Sequence, residues 1–201
     1  MRSSSKELVQ AKERIKKPYM QKQSLHKRED STFSRKDIEE LLDELIGRIR
    51  IIANIHDMMT HKAGEGGMSL SELIRKVAKG YACEGYCLEI NVDDLMISSE
   101  SAAWIAMIVN EAICNCRKHA FLGARRPEKN RINITAQQRG STLSLCIRDN
   151  GCGLPKGFVF ENAQTTGMRL IRTICKQLKA TVAFESNRGA AMILHIPEIL
   201  S

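Results

Sequence analysis

The chain has 201 residues, of which 43% are hydrophobic, enough for one respectable core with room for a small second element. No run reaches the ~18–20 apolar residues that span a bilayer, and no apolar stretch follows the basic N-terminus as a signal peptide requires, so a cytosolic protein without a membrane span is expected. The formal charge of +8 is uneven: residues 1–36 hold 11 Lys/Arg against 4 Asp/Glu, and the other 165 residues hold 20 against 19. The folded part is therefore nearly neutral.

Residues 1–35 are polar, broken by Pro18, and lack sustained amphipathic periodicity. They read as a basic, solvated tail, in part helical, and not as a nucleic-acid-binding arm. The seven cysteines are odd in number and contain no CxxC. Cys114, Cys146 and Cys175 stand among apolar neighbours, which points to reduced thiols acting as small hydrophobes and not to disulfides or zinc ligands.

A helix is expected to start at Ser34 as N-cap, with Asp37 at the N3 position. Ile38, Leu41, Leu42, Leu45, Ile49, Ile52, Ile55 and Met59 then recur at spacings of three and four. Such a stripe is about six turns long and needs a partner helix. Gly64-Glu-Gly-Gly67 ends it. Ser69-Leu-Ser-Glu72 is a capping-box pattern opening a second helix to about Cys83. Cys87–Val92 alternates as a half-buried strand. Ser98 or Ser99 caps a third helix, which buries Trp104, Ile105, Ile108 and Val109. Arg131–Ala136 and Thr142–Ile147 are strands flanking a hairpin turn at Arg139-Gly140. Met168, Ile171, Ile174, Cys175 and Leu178 mark a fourth helix, and Thr181–Glu185 and Ala191–Ile196 form a hairpin around Asn187-Arg-Gly189. This order fits a two-layer α/β sandwich.

Two stretches carry chemistry. Asn110-Glu-Ala-Ile-Cys-Asn115-Cys-Arg-Lys-His119-Ala-Phe121 places Glu111, Asn115, Lys118 and His119 at helical spacings, one polar face on an otherwise apolar helix. Asp149-Asn-Gly-Cys-Gly-Leu-Pro155 closes an alternating strand with a turn that favours glycine. Each alone reads as a buried amide or a strand-end turn. Together they make a mould for a nucleotide.

At these residues the chain resembles the GHKL-type ATPases: histidine kinases, gyrase-like and heat-shock-type ATPases, and MutL. The first stretch is similar to their N box and the second to their Asp-x-Gly-x-Gly G1 box. Thr165-Thr-Gly-Met-Arg-Leu-Ile-Arg172 and the helix after it resemble the G2 box. The resemblance implies an α+β fold, a two-layer sandwich of the GHKL (Bergerat) type with a mostly antiparallel mixed sheet. It divides the chain into a tail (1–35), a helical dimerisation-like segment (36–83) and an ATP-binding catalytic domain (84–201).

By the same resemblance the cofactors are ATP and Mg²⁺. Asp149 accepts a hydrogen bond from the adenine amino group, and Gly151, Gly153 and Leu154 pass close to the base. Asn115 binds Mg²⁺ through its side-chain oxygen, while Glu111 takes the place of the group that polarises the attacking atom. Lys118 and His119 face the phosphates and ribose. Thr166, Gly167 and Met168 begin a helix whose N–H groups hold phosphate oxygens. Arg169 and Arg172 are candidates for added positive charge or for plain solvated residues. The loop from Lys156 to Gln164 implies a short lid, an open pocket and micromolar or weaker affinity.

Arg48-Ile-Arg-Ile-Ile-Ala-Asn-Ile-His56-Asp-Met-Met59 is similar to the second dimerisation helix of one histidine-kinase subgroup. The ending His119-Ala-Phe121, the short lid and the Thr-Gly-Met-Arg form of G2 match that subgroup too. Its phosphoacceptor motif, His-Arg-Val-Lys-Asn-Asn, has its nearest counterpart in Glu13-Arg-Ile-Lys-Lys-Pro18, where the histidine is missing. The resemblance therefore implies a homodimer through residues 38–59 that transfers the γ-phosphoryl group of Mg-ATP to a histidine in trans. Its partner would be a response regulator receiver domain or a separate phosphoacceptor protein. Two alternatives stay open: an adaptor that binds ATP or a receiver domain without catalysis, and an anti-sigma-type serine kinase, against which the His56-bearing helix argues.

Overall fold

The computed structural model describes residues 38, 42, 45–49, 51–53, 67–81, 86–121 and 129–197. The expectations for the tail, Ser34, Asp37, Leu41, Ile55, His56, Met59, Gly64–Gly66 and Cys83 lie outside the described residues. The chain forms two compact units, 1–47 and 48–201. In the first, Ile38, Leu42 and residues 45–47 are helical. The second unit opens with helical residues 48, 49 and 51–53; Ile51 is in its core, while Ile49 and Ile52 are each 53% exposed.

The second unit is built on a five-stranded sheet. Its strands are β2 (Cys87–Val92), β4 (Arg131–Arg139), β5 (Thr142–Asp149), β6 (Thr181–Ser186) and β7 (Ala190–Pro197), in the order β2-β4-β5-β7-β6. β2 runs parallel to β4, and the other pairs are antiparallel. The alternation read from the sequence puts Ile132, Ile134, Ala136, Leu143, Leu145, Ile147, Met192, Leu194 and Ile196 on one buried face. Against that face pack the helices α1 (Leu70–Lys79), α2 (Ser99–Asn115) and α3 (Thr166–Gln177). Each fully buried isoleucine of this layer contributes roughly 1.5–3 kcal/mol by burial.

The caps fall where the sequence puts them. Ser69 Oγ accepts from the Glu72 N–H at 3.2 Å, and Ser98, not Ser99, caps α2 by accepting from the Ser101 N–H at 3.2 Å. The second helix ends earlier than expected, at Lys79, because Gly80 turns the chain and its N–H closes back on the Val77 carbonyl. Trp104 is half-buried, while Ile105, Ile108 and Val109 are fully buried. One small sheet has no sequence signal: β1 (Met68–Ser69) pairs antiparallel with β3 (Met96–Ile97). These segments are two residues each, too short for an alternation to show. They bind the start of α1 to the approach of α2, helped by the Leu70 N–H donating to the Leu95 carbonyl at 2.9 Å.

Candidate nucleotide site

The three sequence boxes converge on the C-terminal half of α2. The sequence spacing implies one continuous α-helix through His119. The helix instead stays α to Asn115 and widens into a π turn over Cys116–Ala120, a local form that recurs at functional sites. Lys118 in this turn is half-buried and His119 is exposed. The Ala120 carbonyl accepts from the Cys152 N–H at 2.9 Å, which seats the glycine turn directly on the end of the helix.

That contact explains Gly151. A Cβ there would meet the Ala120 carbonyl oxygen at 2.1 Å, backbone against backbone, so no side chain fits. Gly153 follows at φ +81, in the left-handed region that favours glycine. Asn150 pins the turn from the other side: its Oδ1 accepts from the Arg131 N–H at 2.7 Å and its Nδ2 donates to the Lys129 carbonyl at 2.8 Å. The Leu154 N–H donates to Ser186 Oγ at 3.1 Å.

Asp149 is 4% exposed at the end of β5. Its Oδ1 accepts two backbone N–H bonds, from Gly151 at 2.8 Å and Ala190 at 3.2 Å. Its Oδ2 faces the Cys116 thiol, which donates at 3.6 Å. Burial, with the Asp149 charge next, pushes the Cys116 thiol up, so it stays protonated and able to donate. One carboxylate oxygen is thus committed to the fold, and the other keeps acceptor capacity behind a weak donor.

The G2 box makes the opposite end. Thr165 caps α3, its Oγ1 accepting from the Met168 N–H at 3.4 Å. Of the three candidate N–H groups, Met168 therefore already serves the cap, and Thr166 and Gly167 head the helix. Gly167 is buried against Glu111: a Cβ on it would stand 2.5 Å from Glu111 Oε2. Glu111 is itself 4% exposed and held by Arg48, whose Nε donates to Oε1 at 2.8 Å and whose Nη2 donates to Oε2 at 3.1 Å. Asn110 Nδ2 adds a long bond to Oε1 at 3.4 Å.

Asn110 continues the chain of polar contacts, its Oδ1 accepting from the Tyr81 hydroxyl. Tyr81 also meets Cys114 Sγ at 3.2 Å and lies under the Arg117 guanidinium at 5.4 Å. Burial pushes the Tyr81 phenol well up, so it remains a donor. Cys114 is thus a half-buried polar neighbour, not simply an apolar filler, whereas Cys175 is buried as a small hydrophobe.

The lid from Lys156 to Gln164 is short, as expected, and it is pinned. Arg172 is not a solvated charge: its Nη1 donates to the Phe160 carbonyl at 2.6 Å and its Nη2 to the Ala163 carbonyl at 2.7 Å. The same guanidinium lies 5.5 Å over the Phe160 ring. Phe158 and Phe160 both pack on Phe184, with centroids 5.3 and 4.9 Å apart. Arg169 is exposed.

The donor set fits magnesium. Asn115 is half-buried and stands one helical turn after Glu111, and its side chain carries a carboxamide oxygen. Among the described residues no group of three His, Cys, Asp or Glu could cage a metal ion. A hard cation that takes one protein oxygen and keeps waters and phosphates suits this site. The sequence reading missed Arg48, Cys116, Ser186 and Ala190. Arg48 and Cys116 lie within the quoted stretches, but nothing in one sequence pairs a side chain at 48 with one at 111.

The family described as histidine kinase-, DNA gyrase B-, and HSP90-like ATPase matches residues 100–199. The chain is 28% identical over 166 residues to the sensor histidine kinase PdtaS of Mycobacterium tuberculosis, covering 79% of this chain and 32% of that protein. It is 24% identical over 142 residues to the nitrate/nitrite sensor protein NarX of Escherichia coli, covering 65% and 22%. The chain therefore spans about a third or less of these relatives' length. In fold it is similar to the histidine kinase domain of the Erythrobacter litoralis EL346 blue-light activated histidine kinase, with a TM-score of 0.69 at 17% identity, covering 95% of this chain and 85% of that one. No helix among the described residues is long and apolar enough to cross a membrane. Through residues 100–199 the chain belongs to the histidine kinase-, DNA gyrase B- and HSP90-like ATPase family.

Proposed function

We propose that the protein binds Mg-ATP between the glycine turn and the start of α3 and transfers the γ-phosphoryl group to a histidine of a partner. The observation that carries this reading is the convergence of the three boxes on α2: Cys116 on Asp149 at 3.6 Å, Ala120 on Cys152 at 2.9 Å, and Glu111 against Gly167. Asp149 Oδ2 would accept the adenine amino hydrogen, with Gly151, Gly153 and Leu154 under the base. The N–H groups of Thr166 and Gly167, with Lys118, would face the phosphates, and His119 the ribose side. Asn115 would hold Mg²⁺, which when bound neutralises charge on the phosphates. Glu111 would polarise the attacking group. Catalysis of this kind rests on positioning and charge neutralisation.

One relative is a sensor histidine kinase and another a nitrate/nitrite sensor protein. This supports a receiver domain or a separate phosphoacceptor as partner, and a homodimer through residues 38–59. Exposed Ile49 and Ile52 favour such a dimer. Because the His-Arg-Val-Lys-Asn-Asn motif is absent, transfer in trans is the version we adopt, in a cytosolic protein. The test is incubation with γ-labelled ATP and a histidine-bearing acceptor domain. The expected result is label on the acceptor that is lost in acid and stable in base, as phosphohistidine is. Acid-stable label would instead favour the serine-kinase reading. Nucleotide binding with no label on either chain would favour the adaptor.

A further inference from the structure

Arg48 lies upstream of the matched family region, yet its guanidinium forks onto both carboxylate oxygens of Glu111, at 2.8 and 3.1 Å. The two side chains are 17% and 6% exposed. Glu111 Oε2 fills the space where a Cβ of Gly167 would stand, 2.5 Å away. A carboxylate is thus built into the wall beside the first turn of α3, next to the Thr166 and Gly167 N–H groups. Unpaired, its charge would work against any anion drawn to that turn. Water screens less in a wall this buried than at the surface, so the repulsion would be stronger there. The neutral Asn110 amide at 3.4 Å cannot cancel it. Arg48 can, and its planar fork does so while fixing the carboxylate plane.

We propose that Arg48 is a positioning residue of the nucleotide site: acting through Glu111, it makes the wall beside Gly167 electrically neutral and thereby permits a triphosphate to bind there. The inference rests on the nucleotide reading of the site and extends it to a side chain on the upstream helical residues. It also has a reciprocal consequence. Occupancy of the phosphate end and the seating of Arg48 share one carboxylate, so each strengthens the other by the same factor. The helix before the ATP-binding domain thereby registers whether nucleotide is present.

The test is calorimetric titration of the full chain with Mg-ATP, Mg-ADP and adenosine, in the wild type, Arg48→Met, Glu111→Gln and the double variant. Arg48→Met leaves the carboxylate unpaired, and its Mg-ATP dissociation constant rises by about tenfold, or about 1.4 kcal/mol. Mg-ADP weakens by less, about threefold, and adenosine is unchanged, because the effect scales with phosphate charge. In the double variant both charges are gone, and Mg-ATP binding returns to within about threefold of the wild type. Equal weakening for all three ligands, or no recovery in the double variant, overturns the proposal.

Should Arg48→Met fail to fold, Glu111→Gln and the double variant still decide, since neither buries a lone carboxylate. With Arg48 kept and Glu111 neutral, Mg-ATP binds about threefold or more tighter than in the double variant; equal affinities overturn the proposal. Wild-type protein that binds no Mg-ATP overturns the nucleotide reading itself. Wild type that binds, with a flat Arg48 series, overturns this inference alone.

Discussion

The two ends of the site are built from different materials. Around Asp149 the work is done by backbone: two N–H groups hold Oδ1, the Ala120 carbonyl seats Cys152, and glycine at 151 is enforced by a main-chain contact. Around Gly167 it is done by side chains, with Glu111, Arg48, Asn110 and Tyr81 forming one polar chain behind α3. A base has one shape and one hydrogen-bonding edge, so a fixed mould suits it. A triphosphate brings charge and a metal, and its surroundings must balance charge as well as shape. The first end should therefore answer to steric changes and the second to charge changes.

The largest expected effect is steric. Gly151→Ala forces the glycine turn off α2, costing on the order of 3 kcal/mol of stability in urea unfolding. Nucleotide binding should be lost with it. A variant of wild-type stability that still binds would show that the turn is not the mould. At the other end, Asn115→Ala should keep the fold and weaken Mg-ATP about tenfold. Wild type titrated in EDTA should show the same loss, with no further loss in the variant. If the variant and EDTA effects add, Asn115 is not the metal ligand.

A third expectation concerns pH. The Cys116 thiol is raised above its ordinary value of 9.0 by burial. Above pH 9 the unfolded chain loses this proton while the folded chain keeps it, so stability is full below pH 9 and declines as pH rises. The decline should approach about 1.4 kcal/mol per pH unit at most from this group. Thermal unfolding between pH 8 and 10.5 should show it, less steeply for Cys116→Ala; an identical slope in both would place the effect elsewhere, for instance in Tyr81. The smallest effect belongs to the lid. Arg172→Met removes two bonds to lid carbonyls. ATP dissociation measured by stopped flow should quicken about threefold, since a braced lid delays release. An unchanged rate would mean that the Phe158, Phe160 and Phe184 cluster alone holds the lid.

The same contrast explains what could be read in advance. The sheet was legible because alternation in Arg131–Arg139 and Thr142–Asp149 is a local signal tied to burial on one face. The caps at Ser69 and Ser98 are legible for the same reason, whereas the cap at Thr165 emerges only in the structure. The glycines of the turn were visible as glycines, although the cause at Gly151, the Ala120 carbonyl, lies 31 positions away and was not. The π turn at Cys116–Ala120 left no mark, since one extra residue per turn does not disturb a short polar pattern. The pairing of Arg48 with Glu111 was hidden because it spans 63 positions, and Arg48 stood in a segment read for its apolar stripe. Arg172 reads in the sequence as added positive charge or a solvated residue; its bonds to the Phe160 and Ala163 carbonyls are hidden because those carbonyls belong to a loop with no pattern at all.

The central claim is that Asp149 Oδ2 receives the base. The direct measurement is calorimetric titration of Mg-ATP into the wild type and Asp149→Asn. An asparagine would keep its oxygen toward the Gly151 and Ala190 N–H groups, leaving its NH₂ where Oδ2 stood, so a donor would face the adenine amino group. The account predicts micromolar or weaker binding to the wild type and a loss of about hundredfold in the variant, with unfolding unchanged. Equal affinity in both proteins, or no binding to a folded wild type, would contradict it.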